Sequence, residues 1–335
     1  MLSAPARFVV GTGRCGSTLL SRMLSVNTRV LNVFELFSGI DQFFRFQEAP
    51  VGGAELAERL RQDHPMLTMV LKRGYDVPEV VYPFDQPGSR YRRSDPVPWA
   101  LGIAIPRISE EPDGLFDEML ELVEARPSAP LAVHYQDVFD WLAERTGREC
   151  WIERSGSSIE YLGELKRLFP DARFVHIHRD GCEAALSMRE YPVLRVAVAV
   201  MNGMLGEIEY SHEGLTELER SDGAAIDRLL ETRPPIELYG KYWSDQIQNG
   251  YAAVAGLDPA DFLEVRFEDL VTRPEAVLSE IDAFFGLPGR GDWIAEASAL
   301  SRGMPTLRLP KLRGTERERL EEACRAAMSQ LGRSV

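Results

Sequence analysis

Cysteine is scarce in this chain. Its 335 residues hold four, at Cys15, Cys150, Cys182 and Cys324, and their spacings match neither a disulfide framework nor a metal-binding motif. Such usage suits a reducing compartment. Long apolar runs are missing as well. The longest, Val193 to Leu205, is broken by Arg195 and Asn202 and falls short of the ~18 residues of a membrane span. Met1 to Ala6 offers no secretory apolar core before a glycine-rich stretch begins, so a cytoplasmic location is expected. Positive charge is also short: 38 Lys and Arg face 52 Asp and Glu, a net charge of −14. That field repels nucleic acid, heparin-like polymers and anionic membranes. An anionic ligand would need a local cluster of arginine and hydroxyl groups, because short-range paired charges outweigh a distant, screened field. Internal repeats and low-complexity tracts are absent, and 44% hydrophobic content is ordinary for a globular chain.

What is present is concentrated first in residues 7–25. Phe8, Val9 and Val10 read as a short buried strand. Gly11, Gly13 and Gly16 then permit a sharp turn with exposed N–H groups. From Ser17 or Thr18 a helix is predicted, with Leu19, Leu20, Met23 and Leu24 on one face. A strand, a glycine turn and a helix start together make an anion cradle, since free N–H groups and the helix dipole both favour phosphate. Gly11 and Gly16 fit the nucleotide-kinase pattern G-x-x-x-x-G-K-[ST], but Ser17 stands where that pattern has lysine. The long cation of this loop is instead Arg14. Cys15 reads as a small loop-filling side chain rather than a redox group.

A second constellation lies at residues 172–188. Phe174 to His178 reads as a buried strand, Arg179 leaves its C-terminal end, Asp180 or Gly181 opens a helix, and Ser187 follows two turns in. Arginine offers a planar fork suited to phosphate, and a serine on the adjoining helix adds a hydroxyl donor. His176 and His178 share a strand face and with His134 imitate a metal set, but no carboxylate or cysteine spacing completes it; packed histidines are expected.

The form G-x-x-R-x-G-S-T resembles the 5′-phosphosulfate loop of the sulfotransferases, which use 3′-phosphoadenosine 5′-phosphosulfate (PAPS). Arg179 to Ser187 resembles their second motif, R-D-P-x-x-x-x-x-S, with Gly181 in place of the proline. The resemblance implies a P-loop-like α/β fold: a parallel sheet flanked by helices, with a largely helical and loop insertion after the second strand. It implies that Gly13, Arg14, Cys15, Gly16, Ser17 and Thr18 hold the 5′ end of PAPS and that Arg179 and Ser187 grip its 3′-phosphate. It also implies that Arg14 neutralises charge growing in the reaction, with no metal needed. Val30 to Phe34 reads as the second strand with Glu35 at its C-terminal end. Tyrosylprotein sulfotransferases carry a general base at a similar interval, and by that resemblance Glu35 is nominated; the alternative is a carboxylate stabilising a helix start at Leu36.

Residues 37–148 read as an insertion or acceptor-binding cap within one domain spanning 1–335. Phe37, Ile40, Phe43, Phe44 and Phe46 form an aromatic helical face, either core or the lining of an apolar acceptor site. A charged surface helix is predicted over Gly53 to Gln62, a short strand over Thr68 to Lys72, and amphipathic helices over Leu115 to Glu124 and Val133 to Glu144. Tyr75 to Pro106 carries six prolines, so an ordered loop or lid without long helices is expected. Its Arg90, Arg92 and Arg93 read as solvated. Cys150 to Glu153 is a predicted strand, followed by a polar turn at Ser155 to Ser158 and a helix to Phe169. The family's Lys-x-Pro turn is replaced here by Arg154-Ser-Gly. Residues 193–255 read as helical with an acidic, flexible middle from Glu207 to Glu231 and interruptions expected at Arg220-Ser-Asp-Gly and Pro234-Pro235; within them Tyr239 to Val254 is a helix with Tyr242, Trp243 and Ile247 inward. Phe262 to Leu270 reads as strand and turn, resembling the family's late R-[YF]-E-D-L segment. Gly289 to Trp293 loosely resembles a glycine-rich nucleotide loop. One of Arg308, Lys311 and Arg313, ahead of a last helix at Glu316 to Leu331, is a candidate for the 3′-phosphate. The function this reading implies is PAPS-dependent sulfuryl transfer to a hydroxyl or amine of a small molecule such as a lipid or aromatic alcohol, with PAP as product. An ATP-dependent small-molecule kinase and a non-catalytic nucleotide-binding protein remain open alternatives.

Overall fold

The computed structural model describes residues 5–37, 43, 46–289 and 291–334. Five parallel strands form one sheet: β1 (Arg7–Val10), β2 (Val30–Phe34), β3 (Cys150–Arg154), β4 (Arg173–His178) and β5 (Phe262–Arg266). Their spatial order is β2-β3-β1-β4-β5, and every neighbouring pair runs parallel. The first four strands are almost wholly buried, as expected when helices cover both faces of a parallel sheet.

Strand alternation divides the core. Phe8, Val10, Leu31, Val33, Trp151 and Phe174 pack on one face, against helices of the insertion. Val9, Ile152, Val175 and Ile177 point to the other, against helix α1 (Ser17–Leu24) and the Pro274–Phe285 helix. Two more apolar clusters lie beyond the two sheet faces, the first of them reaching Phe34 at the end of β2. One joins the Pro65–Lys72, Pro192–Met201 and His212–Glu231 helices. The other joins Gly181–Arg189, Ile236–Val254 and Gly314–Gln330.

Several expectations change. Thr68 to Lys72 is not a strand but the end of the Pro65–Lys72 helix. Its apolar run is buried almost all round, which removes the helical period, while proline at the first helical position fixes the start. Most of Glu207 to Glu231 is the His212–Glu231 helix, as the helical reading of 193–255 expects, with a kink at Asp222 inside the expected Arg220-Ser-Asp-Gly interruption; in place of a flexible middle it is packed, burying Leu215, Leu218, Ile226, Leu229 and Leu230. The charged helix at Gly53–Arg61 buries Leu56, Ala57 and Leu60, and a Cβ on Gly53 would collide with the carbonyls of Val123 and Arg126. Tyr75 to Pro106 contains only a turn of π-helix, Ala100–Ala104, and the start of a 3-10 turn, Ile105–Arg107. Phe37 and Phe46 are core, whereas Ile40 and Phe44 lie outside the described residues. Tyr239, Trp243 and Ile247 are buried, but Tyr242 faces a cavity.

Candidate active site

A wholly parallel sheet sends every strand's carboxyl end to one edge, where ligands of open α/β sheets bind. The first four strands each deliver polar groups there, from the loop after β1, Glu35 after β2, Ser155 to Ser158 after β3 and Arg179 after β4, while β5 is followed by the Phe267 ring. Three of these positions, Arg14 (φ 53°), Glu35 (φ 52°) and Ser157 (φ 55°), hold non-glycine residues in the left-handed region. Such conformations are costly and gather at functional sites.

The loop itself alternates into positive φ at Gly13 (72°), Arg14 and Gly16 (98°). Gly16 is required sterically as well, because a Cβ there would run into the Phe267 ring. Among the described residues, none accepts a hydrogen bond from the backbone N–H groups of residues 13–18. They form an anion nest at the start of α1. Cys15 lies beneath, fully buried, its Sγ under Gly11 in the core of the sheet. Its contribution to the nest is its backbone, as the small side chain expected there permits.

Arg14 lies along the cavity wall. Its Nε donates to Ser187 Oγ (3.3 Å) and its Nη1 to Glu79 Oε1 (3.1 Å). Its guanidinium sits 5.0 Å from the centre of the Tyr191 ring. The Tyr191 hydroxyl donates to the other Glu79 oxygen (2.6 Å). Burial, then the Glu79 carboxylate, push that hydroxyl well above the usual tyrosine range, so it stays protonated.

Glu35 is held from two sides: its Oε1 pairs with buried Arg154, and its Oε2 accepts from the Gly156 N–H (2.6 Å). Arg154 in turn donates from Nε to Ser21 Oγ (2.9 Å) and stacks on Phe34. The residue that replaces the family's Lys-x-Pro turn therefore orients Glu35. Beneath it, Glu153 is fully buried and accepts from Ser155 Oγ (2.6 Å); burial raises its pKa to about 8.

Arg179 stacks over Phe267 at 4.8 Å and lies 3.6 Å from Glu183. Burial lowers its pKa from the ordinary arginine value, with Glu183 opposing. Glu183 also accepts the backbone N–H groups of Arg308 (2.7 Å) and Leu309 (2.8 Å), drawing the 305–313 segment to the site. Gly181 lacks the family's proline for a steric reason: a Cβ there would enter the Trp243 ring.

These groups surround one cavity of about 720 Å³. Gly13, Arg14, Gly16, Ser17, Thr18, Glu35, Arg179 and Ser187 all line it, and so does Arg308. Lys311, Arg313 and the described residues of the 289–293 loop do not. His134 is bonded to the Val51 carbonyl (2.8 Å), and His176 and His178 stack at 5.2 Å with Tyr251 and Arg333 as partners. Burial holds His178 near pKa 3 and His176 well below the ordinary value, so both are neutral. Sequence reasoning missed Glu79 and Tyr191. Glu79 falls in a proline-rich stretch without periodicity, and a lone Tyr191 carries no motif.

The family model described as the sulfotransferase family matches residues 5–213 and 225–291. The chain belongs to the sulfotransferase family. Among solved structures, this sulfotransferase resembles the sulfotransferase domain from the curacin biosynthetic pathway at 15% identity, over 99% of each chain, with a TM-score of 0.53. It also resembles the sulfotransferase domain from the Synechococcus PCC 7002 olefin synthase at 17% identity, over 99% of this chain and 96% of that one, with a TM-score of 0.50. At such identities the likeness is one of fold. No curated protein matches the sequence. Among the described residues, no helix is long and apolar enough to cross a membrane, and no His, Cys, Asp and Glu cluster has a metal-binding arrangement.

Proposed function

We propose that this sulfotransferase moves a sulfuryl group from PAPS to a hydroxyl, or an amine, of a small molecule, acting in the cytoplasm as one domain whose 37–148 segment caps the acceptor end. The observation that supports this reading is one cavity lined by two sets of anion donors, the nest of residues 13–18 with Arg14, and Arg179 with Ser187 and Arg308, which adjoin where Arg14 donates to Ser187. A donor with phosphate-type groups at both its 5′ and 3′ ends uses both sets; an ATP-dependent kinase has no use for the second.

Residues 13–18 hold the 5′ end. Arg179, the Ser187 hydroxyl and Arg308 hold the 3′-phosphate by charge-assisted hydrogen bonds. The acceptor oxygen forms a bond to sulfur as the bond from sulfur to the 5′-phosphate oxygen breaks. PAP leaves with that oxygen, and the acceptor's proton passes to Glu35. Arg14 neutralises charge on the sulfuryl and bridging oxygens, and the Arg154 pair with the Gly156 N–H fixes the direction in which Glu35 faces.

Arg14→Ala tests the assignment. Loss of one such electrostatic donor is expected to cost about 10²–10³ in turnover, with PAP binding, measured by calorimetry, weakened far less. Near-normal transfer from PAPS, or tighter binding of ATP with Mg²⁺ than of PAP, would reject the reading.

A further inference from the structure

Past the strand ends the cavity wall changes character. Met66 and Leu67 come from the Pro65–Lys72 helix, Val193 and Ala197 from the Pro192–Met201 helix, and Trp99 and Ile103 from the end of the proline-rich segment. Three elements, distant in sequence, converge on one apolar surface, backed by the buried cluster they share. Methionine contributes an adaptable contact rather than a rigid mould.

The same segments and their flanks supply three titratable cavity-lining groups: His64, Glu79 and Tyr191. His64 is buried between the rings of Phe43 and Trp99, and that burial brings its pKa down to about 3, so it is neutral. Tyr191 is protonated. Glu79 is therefore the charge these segments bring, and it stands where the apolar wall meets Arg14. Its oxygens are taken by Arg14 and Tyr191, which fixes the carboxylate in place.

We infer that the acceptor is an uncharged, largely apolar alcohol, and that Glu79 turns away acceptors bearing an anion beside the reacting hydroxyl. The inference rests on the sulfuryl-transfer reading above and names the substrate class of that site. A sugar or a carboxylate set against Met66, Leu67 and Ile103 would lose water with no hydrogen bond in return. An anion next to the hydroxyl would also have to compete with the fixed Glu79 carboxylate for Arg14, and like charges in juxtaposition suppress the wrong partner. An apolar alcohol gains from burial at the same wall. Its oxygen bonds to sulfur, its proton goes to Glu35, and the products are a sulfate monoester and PAP.

The experiment measures PAP binding by calorimetry and, separately, transfer from PAPS to 2-decanol, 2-naphthol, 2-hydroxydecanoate and glucose. The two apolar alcohols are expected to exceed the hydroxyacid and glucose in kcat/KM by roughly a hundredfold. Val193→Asp sets an anion on the apolar wall near a helix start that tolerates it. It should lower kcat/KM for 2-decanol at least about tenfold with unchanged PAP affinity. Glu79→Gln should narrow the gap between 2-hydroxydecanoate and 2-decanol by about tenfold. Equal or faster transfer to glucose or the hydroxyacid, with PAP bound normally, overturns the acceptor assignment and leaves the donor reading standing. A Glu79→Gln enzyme with an unchanged gap overturns the role of that carboxylate. Failure to bind PAP removes both readings.

Discussion

At the scale of single residues, the site is built from charges that are already paired. Glu35 answers Arg154, Arg14 answers Glu79 and Ser187, and Arg179 answers Glu183. Each pair is oriented before any ligand arrives, which lowers the reorganisation left for the reaction. Glu153 is the exception: it is buried, lacks a cationic partner among its hydrogen bonds, and titrates at about 8. A carboxyl whose pKa is raised by folding adds stability that is complete below its unfolded value of 4.5 and is lost as pH rises through about 8. Glu153→Gln should therefore match the parent in thermal stability near pH 5 and exceed it near pH 9. A parent that still matches the variant at pH 9 would show that this group ionises without cost.

At the scale of elements, the sequence was most readable where one short stretch both folds and binds. The 7–25 stretch carries its strand, turn and helix in adjacent residues, and the Arg179 to Ser187 spacing places both side chains on one cavity. Legibility faded where burial erased periodicity. The Pro65–Lys72 helix is apolar on most sides and imitates a strand. Glu79 and Tyr191 meet Arg14 only through tertiary packing, so no local pattern announces them. The 305–313 segment behaves likewise: only its basic residues hint at a role, and Glu183 decides which one reaches the cavity. Removing that acceptor leaves two backbone N–H groups without their carboxylate, at a cost of about 1–3 kcal/mol each where they stay buried. Glu183→Ala should thus weaken PAP binding about tenfold or more and open residues 301–313 to limited proteolysis. Unchanged affinity with unchanged protection would show that the segment is held by other contacts.

At the scale of the whole molecule, an acidic chain concentrates its cavity arginines where the strands end. In a chain of net charge −14, Arg14, Arg179 and Arg308 line one cavity together with Glu35, Glu79, Glu160 and Asp245, so an anion must be held by those arginines at short range. Because the cavity draws on all five strand ends, occupying it should stabilise the entire sheet. PAP at a hundredfold its dissociation constant is expected to add about 2.7 kcal/mol of unfolding free energy, seen as a raised melting temperature. The increment should shrink for Arg179→Ala at the same PAP concentration, and an equal shift in both would mean that Arg179 carries none of the grip.

The strand order has one further consequence, for how the chain reaches this state. β1 is the first strand made, yet its partners are β3 and β4, so Phe8 waits for Glu153 and Phe174 before either flank is covered. Pairings so distant in sequence slow folding and leave strand edges open to neighbours meanwhile. A ribosome would have to release the chain through the end of β4 before its central strand could be enclosed, which makes the emerging chain, rather than the finished enzyme, the form most exposed to aggregation.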